Sequence, residues 1–354
     1  MDPAAYFSQD YFEARDRFRN AAQRMHAELL QYPVPCDRDL TIDVAVLGDA
    51  TAPHASVFSS GLHGVEGFFG SAVQLAWMQQ LADDLNANGS RIVLLHAINP
   101  FGFANLRRWN EENVDLNRNF HINDDDYRGA PAAYKQFNGL LNPQSPPSHW
   151  EPFRAKAIAT IARNGLQSVK QAIAGGQYEF PRGLFFGGQY ASESTKIIQD
   201  NIDAWVGDAS NAVHLDLHTG LGRSGEGKLL LERSVQAEWF ESHFGHDVVE
   251  VTSDDRPTAY DSKGSLGGWL CQHFSDRDYR YALAEFGTHG VIRVLAALRA
   301  ENRAHFYCQS GDDAYRRAKR ELVECFCPAS PRWRERVIRS GVAMLQQACQ
   351  LSWT

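Results

Sequence analysis

Several features that mark specialised classes of protein are missing from this sequence. Six cysteines among 354 residues have neither the density nor the spacing of a disulfide framework. No apolar run is long enough to span a bilayer, and the first residues lack the basic and apolar segments of a secretion signal. The chain contains no internal repeat and no low-complexity tract. We therefore expect a cytoplasmic protein without membrane contact.

Basic residues are outnumbered by acidic ones. The chain has 35 Lys and Arg against 43 Asp and Glu, a formal net charge of -8, and no long basic run. This balance argues against nucleic acid or an anionic membrane as a partner. Hydrophobic residues make up 44% of the chain, enough for a sizeable core in one large domain or two ordinary ones.

The spacing of apolar residues predicts an α/β sandwich. Apolar residues recur at helical spacing near the start, which predicts an amphipathic helix over residues 6–31. Strand-like runs follow at 40–47, 55–60, 91–97, 212–217, 228–231, 248–252 and 281–286, mostly with helical segments between them. Residues 131–188, with Pro-Gln-Ser-Pro-Pro, a helical stretch over 152–174 and two Gly-Gly pairs, resemble an insertion.

A histidine and a carboxylate lie three residues apart in the glycine-rich segment that follows the 55–60 strand. The imidazole of His63 and the carboxylate of Glu66 could converge on one metal ion. The glycines at 61, 64 and 67 permit tight turns there. An H-x-x-E pair alone is more often a surface turn, with a solvated Glu and a hydrogen-bonded His.

A second group of polar residues alternates along the 212–217 strand. His214, Asp216 and His218 fall on one face, and burying them costs free energy unless a metal or hydrogen-bond partners satisfy them. We choose His218 as a third metal ligand because it stands at the end of the strand, beside Gly220. A hydrogen-bonded strand end would also account for the pattern.

Three further groups carry reactive side chains. Asn117 and Arg118 follow an amide- and arginine-rich stretch and could clamp a substrate carboxylate, although solvated surface arginines are the usual alternative. Glu285 closes the 281–286 strand, where it could act as a general base beside a metal site. Tyr260 precedes a glycine-rich loop at 264–268.

Taken in order, these motifs resemble the zinc metallocarboxypeptidase family. That pattern runs H-x-x-E, N-P-x-G with an arginine, V-D-x-N-R-N with an aromatic, then a strand-borne His, a Tyr and a Glu, over about residues 40–300 here. The residues within these motifs are most similar to those of an uncharacterised bacterial branch of that superfamily. The resemblance implies a three-layer sandwich with a central mixed, mostly parallel sheet flanked by helices. It also implies one catalytic domain over 1–354, with C-terminal helices at 300–354.

The resemblance also implies a role for each matched residue. One zinc ion per chain would be held by His63, Glu66 and His218, although cobalt or manganese also suits this ligand set in principle. The other matched residues are Asp115, which orients His63; Arg108, or Arg107 in its place, which stabilises the oxyanion; Glu285, the general base and acid; Tyr260; Asn117 and Arg118, which hold the substrate carboxylate; and Leu266 in the side-chain pocket.

The implied activity is hydrolysis of an amide bond next to a free C-terminal carboxylate, with a peptide as the substrate. Residues 216–219, Asp-Leu-His-Thr, are also similar to the third-ligand motif of the aspartoacylase and succinylglutamate desuccinylase group, which predicts an N-acyl amino acid deacylase instead. A zinc-retaining binding protein without catalysis is a further alternative. A serine hydrolase is disfavoured because no G-x-S-x-G elbow is present. On the side of the metal away from Asn117 and Arg118, a cleft open to a chain would favour peptides, and a closed pocket would favour small acyl groups.

Overall fold

A mixed β-sheet forms the centre of the computed structural model, which describes residues 3–36, 38–81, 89–148, 151–165, 169, 175–232, 236–251, 263–351 and 353. Within these ranges the sheet has eight strands in the order β1-β2-β4-β3-β5-β8-β6-β7. The strands are β1 (Glu28–Pro33), β2 (Thr41–Leu47), β3 (His54–Ser60), β4 (Ser90–His96), β5 (Asn211–Gly220), β6 (Gly227–Leu231), β7 (Val249–Val251) and β8 (Asp278–Gly287). All seven predicted strands are confirmed, and β1 is an addition.

The four central strands run parallel, in the order β4, β3, β5 and β8. Strands β3 and β5 are buried along almost their whole length, as expected where helices cover both faces of a parallel sheet. Their register sets Ser60 opposite Leu217, and His218 opposite Glu285. The carboxyl ends of β3, β5 and β8 therefore meet at one edge of the sheet.

Helices cover both faces of the sheet, which confirms the predicted three-layer sandwich. They are α1 (Tyr11–Arg24), α2 (Gly67–Leu81), α3 (Pro100–Ala104), α4 (Ala132–Leu141), α5 (Phe153–Asn164), α6 (Glu193–Val206), α7 (Ala237–Phe244), α8 (Leu266–His273), α9 (Val291–Tyr307), α10 (Asp313–Phe326) and α11 (Pro331–Cys349). Helices α1, α2, α7 and α11 share one hydrophobic core with the sheet, and α6 and α8 share the other. Among the described residues, no helix combines the length and the apolar character that crossing a lipid bilayer requires.

The predicted helix over residues 6–31 is wrong before Tyr11 and beyond Arg24. Helix α1 begins after Asp10, whose side chain accepts a hydrogen bond from the backbone N–H of Glu13 at 2.9 Å. The chain then turns at His26, and β1 pairs antiparallel with β2, which sets Leu29 opposite Ala45. Leu29 fits the helical spacing, but the backbone hydrogen bonds available at the edge of the sheet decide its structure.

Two helices lie within the 131–188 segment, α4 and α5. Part of the predicted helical stretch over 152–174 falls on residues 166–168 and 170–174, outside the described residues. Glu151, just before α5, forms ion pairs with Arg299 and Arg303 of α9, and these lower the pKa of its carboxyl to about 2. Both guanidinium groups are nearly buried, so these pairs fix the start of α5 against α9. Helices α4, α9 and α10 share a third hydrophobic core with loop residues at the carboxyl edge of the sheet.

Candidate metal centre and active site

Three buried side chains converge at the carboxyl edge of the sheet. His63, Glu66 and His218 each place one ligand atom within 4.8 Å of the other two. The chain turns at Gly61, where φ is +68°, and a single 3-10 turn at Gly64–Glu66 then brings Glu66 back towards His63. The parallel pairing of β3 with β5 places His218 beside them. The structure therefore brings together all three metal ligands predicted from the sequence.

The glycines of this segment allow a second loop to cross it closely. A Cβ atom on Gly64 would lie 2.2 Å from the backbone carbon of Gly102. Backbone N–H groups of Gly64 and Val65 donate to the carbonyls of Arg108 and Arg107 at 3.1 and 2.7 Å. The glycine spacing is thus a packing requirement, and it carries Arg108 to the metal site.

Each candidate histidine ligand is held by a buried carboxylate. His63 Nε2 lies 3.2 Å from Asp115 Oδ1, and His218 Nε2 lies 2.6 Å from Asp216 Oδ2. A proton on each Nε2 would be donated to these carboxylates, which leaves both Nδ1 lone pairs turned inward. The predicted role of Asp115 fits this geometry. Asp216 contacts His218 as Asp115 contacts His63, a role that the sequence motifs did not indicate.

The inward-facing atoms form a set of acceptors that a cation would satisfy. The two Nδ1 atoms are 3.2 Å apart, and Glu66 Oε2 lies 3.0 Å from His218 Nδ1. Burial alone would raise the pKa of Glu66, but positive charge at His63 and His218 outweighs it and lowers the pKa to about 2. With both imidazoles neutral, their lone pairs would face the ionised carboxylate, which is unfavourable unless a cation lies between them. Two imidazoles, one carboxylate and room for water are a donor set that suits zinc.

Arg108, and not Arg107, faces the metal site. Arg108 Nε donates to Asp115 Oδ2 at 2.9 Å, and its Nη2 lies 2.7 Å from His63 Nε2. Arg107 points the other way, towards α9, where its Nη2 donates to Asn302 Oδ1 at 3.1 Å. It is fully buried and pairs with Glu301 at 3.0 Å. The alternative in which Arg107 replaces Arg108 does not fit this arrangement.

Glu285 lines the same cavity as the candidate ligands and pairs in register with His218. Its Oε1 accepts a hydrogen bond from the backbone N–H of Leu221 at 2.8 Å, and the side chain is 7% exposed. Burial is the main cause that raises the pKa of Glu285 to about 7, and the negative charge of Glu66 adds to it. A carboxyl group with a pKa near neutrality is suited to accept and return a proton.

Asn117 and Arg118, the predicted carboxylate clamp, lie at different depths. Asn117 lines the cavity, and its Oδ1 accepts a hydrogen bond from the backbone N–H of Leu266 at 3.1 Å. The guanidinium of Arg118 is fully buried, and its Nη1 donates to the carbonyl of Asn117 at 2.7 Å. Arg118 is not among the described residues that line the cavity, so in this conformation it supports Asn117 from behind.

Leu266, a predicted substrate contact, packs away from the cavity. The side chain of Leu266 packs in the core with Trp269 and Leu270, and among the described residues it is not part of the cavity wall. This corrects the predicted pocket role, and the physical reason is that the first turn of α8 points the side chain into the core. Only its backbone N–H contacts Asn117. Tyr260 lies outside the described residues.

Asp216 is the functional residue that sequence reasoning left without a role. It joins a buried network in which Ser59 Oγ donates to its Oδ1 at 2.6 Å and the Tyr281 hydroxyl donates to its Oδ2 at 3.0 Å. His214, on the same face of β5, lies 2.7 Å from Ser59 Oγ. The alternation of His214, Asp216 and His218 was the available signal. The chain of hydrogen bonds could be seen only once β3 and β8 flanked β5.

Replacement of Asp216 by Asn should weaken metal binding by about 10- to 100-fold. The amide would still accept a hydrogen bond from His218, but without the negative charge that makes the imidazole a better ligand. Zinc affinity should be measured by competition with a chromogenic chelator. Asp208→Asn is a matched control, since Asp208 is exposed just before β5. Equal affinities for the two variants would contradict an orienting role for Asp216.

Solved structures with similar folds include two that the chain matches over most of its length. Carboxypeptidase A from Helicoverpa armigera aligns with a TM-score of 0.50 at 13% identity, over 95% of this chain and 74% of that one. Bovine thrombin-activatable fibrinolysis inhibitor, solved in complex with tick carboxypeptidase inhibitor, aligns with a TM-score of 0.49 at 11% identity, over 96% and 98% of the two chains. A search of curated proteins finds no match to this sequence.

The fold and the site together define a protein of carboxypeptidase-like architecture with a candidate His-Glu-His metal centre. More particularly, the chain belongs to the family described as protein of unknown function, DUF2817, whose model matches residues 7–340.

Proposed function

We propose that this protein is a zinc-dependent hydrolase of the carboxypeptidase type, which cleaves an amide bond next to a free carboxylate. One observation carries the proposal. The ligand atoms of His63, Glu66 and His218 converge at the edge of the sheet where Glu285 stands opposite His218 in register. A metal site and a general base that share one cavity are the components of metal-assisted hydrolysis.

A bound zinc ion would act as a Lewis acid that polarises the scissile carbonyl and lowers the pKa of water. Glu285 would take the proton of the attacking water at Oε2, because its Oε1 already accepts from Leu221. The same carboxyl would then deliver the proton to the leaving nitrogen. A pKa of about 7 permits both transfers near neutral pH.

Arg108 would stabilise the negative charge that develops on the carbonyl oxygen. When His63 uses Nδ1 as a ligand, its Nε2 carries a proton for Asp115 and cannot also accept from Arg108. The Nη2 group of Arg108, 2.7 Å from that nitrogen, then needs another acceptor. A developing oxyanion in the cavity would supply it, and one well-placed donor is worth about 3 to 4 kcal/mol in the transition state.

Asn117 would bind the carboxylate of the substrate and so orient the substrate. Arg118 would lie behind Asn117 as a buried positive charge. This contact would convert binding energy into correct placement of the scissile bond. Peptides are the substrates that the resemblance to zinc metallocarboxypeptidases implies. N-acyl amino acids are the second candidate, and the specific observation in their favour is the apolar cavity beyond the metal ligands.

Metal analysis followed by a substrate screen would test the proposal. We expect about one zinc ion per chain, and hydrolysis that a chelator abolishes and added zinc restores. Dipeptides, longer peptides and N-acyl amino acids should be compared under the same conditions. Preference for peptides would support the carboxypeptidase function, and preference for acyl amino acids would support the deacylase. Bound zinc with no hydrolysis of any of them would overturn the proposal in favour of a binding protein.

A further inference from the structure

The cavity at the metal site has two chemically different ends. The cavity is partly open to solvent. The polar wall residues cluster at the carboxyl ends of the strands: His63, Glu66, Arg108, Asn117, His218 and Glu285. The remaining wall comes largely from helices that do not contribute to the metal site. The cavity is therefore continuous from the reacting centre into a second region of different character.

That second region is apolar. Helix α4 supplies Phe137 and Leu141, α5 supplies Ala157, and α9 supplies Val294 and Leu298. Among the described residues, Thr160 is the polar side chain in the part of the wall that these three helices form. All five apolar side chains named are nearly buried.

Ion pairs and a hydrogen bond hold together the helices that line the apolar region. The ion pairs of Glu151 with Arg299 and Arg303 join the start of α5 to α9. Arg299 Nε further donates to the carbonyl of Leu140 at 2.7 Å, which fixes the end of α4 against the same helix. Two consecutive helices, α4 and α5, are thus held with the distant α9 around one apolar space.

We infer that this region receives the aliphatic acyl chain of an N-acyl amino acid, so that the substrate is a fatty acyl amide and not a peptide. The inference rests on the proposed function, because it places the acyl carbonyl at the candidate metal site. A peptide in this region would bring backbone N–H and C=O groups against apolar walls, and each group left without a partner costs free energy. An aliphatic chain has no polar group beyond the scissile carbonyl.

A series of acyl chain lengths tests this substrate class. The N-acetyl, N-butanoyl, N-octanoyl and N-dodecanoyl derivatives of glycine should be compared for kcat/KM, together with a glycine-ending tripeptide. Burial of each methylene is worth about a fourfold gain. We expect kcat/KM to rise steeply from acetyl to octanoyl, with the tripeptide well below the octanoyl compound. Equal values for acetyl and octanoyl, or faster cleavage of the tripeptide, would overturn the inference.

A variant that fills the cavity provides an independent test. Ala157→Trp would place a large ring in the apolar region, whereas Ala159→Trp adds the same ring on the exposed side of α5. The ratio of octanoyl to acetyl activity should fall at least tenfold in Ala157→Trp and stay unchanged in Ala159→Trp. A ratio that moves equally in both variants would refute the inference.

Binding to an inactivated enzyme separates this inference from the proposed function. In the Glu285→Gln background, N-octanoylglycine should bind at least tenfold more tightly than N-acetylglycine by calorimetry, and Ala157→Trp should remove the difference. If no compound is hydrolysed by the native enzyme, the proposed function fails, yet this binding difference still tests the acyl site. If hydrolysis occurs without chain-length preference in binding or turnover, the acyl site alone fails.

Discussion

Replacement of Glu285 by Gln should leave the metal in place and reduce turnover by about 10²- to 10⁴-fold, the usual contribution of a general acid or base. Gln is nearly the same size as Glu, so it can still accept the hydrogen bond from Leu221 and keep the wall of the cavity intact. It cannot take a proton from water or return one to the leaving nitrogen. The measurements are zinc content and kcat with the best substrate from the screen.

Glu238→Gln is the matched control for this experiment. Glu238 lies on the exposed side of α7, so its replacement by Gln makes the same change of charge away from the cavity. It should retain both zinc and activity. Wild-type turnover in Glu285→Gln would remove Glu285 from the reaction and with it the proposed mechanism. Loss of zinc from that variant would instead mean that the carboxylate helps to hold the metal.

Replacement of His218 by Ala should abolish stoichiometric zinc binding. The change removes one of three protein ligands. Zinc affinity should therefore fall by more than the roughly 10- to 100-fold that follows loss of a residue that hydrogen-bonds to a ligand. Hydrolysis should disappear together with the metal. Zinc affinity can be measured by chelator competition. We expect the variant to fold, because Asp216 keeps its hydrogen bonds to Ser59 and Tyr281, and circular dichroism checks this.

His246→Ala is the control for the loss of a histidine. The side chain of His246 is 80% exposed and pairs with Glu241 at the surface, away from the candidate ligands. It should bind zinc as the native chain does. If His218→Ala retained zinc with native affinity, the three-ligand centre would be incorrect, whatever the activity of the variant.

Much of the sheet could be predicted because its strands are short apolar runs, a local signal. Strand β1 could not, because Leu29 and its neighbours are only half-buried and continue the helical spacing of α1. What makes them a strand is pairing with β2, a contact between segments that lie apart in the sequence. Helical spacing near the N-terminus therefore described α1 correctly and extended it too far.

The same distinction holds within the site. His63 and Glu66 could be predicted as a pair because they are three residues apart, and the order of the later motifs added His218 and Glu285. Arg118 and Leu266 show the limit of such matching. A side chain that fits a motif by position can still be buried behind the cavity or in the core, since packing against other elements decides where it points.

By itself, the sequence determined the alternation of strands and helices, the three candidate metal ligands and the candidate general base, because these depend on residue type, spacing and the order of the motifs. Only the tertiary structure decided that Arg108 faces the candidate metal site, that Asp216 contacts His218, and that α4, α5 and α9 line an apolar space next to it. Each of these depends on contacts between distant segments, and those contacts exist only after the sheet has assembled and the helices have packed around it.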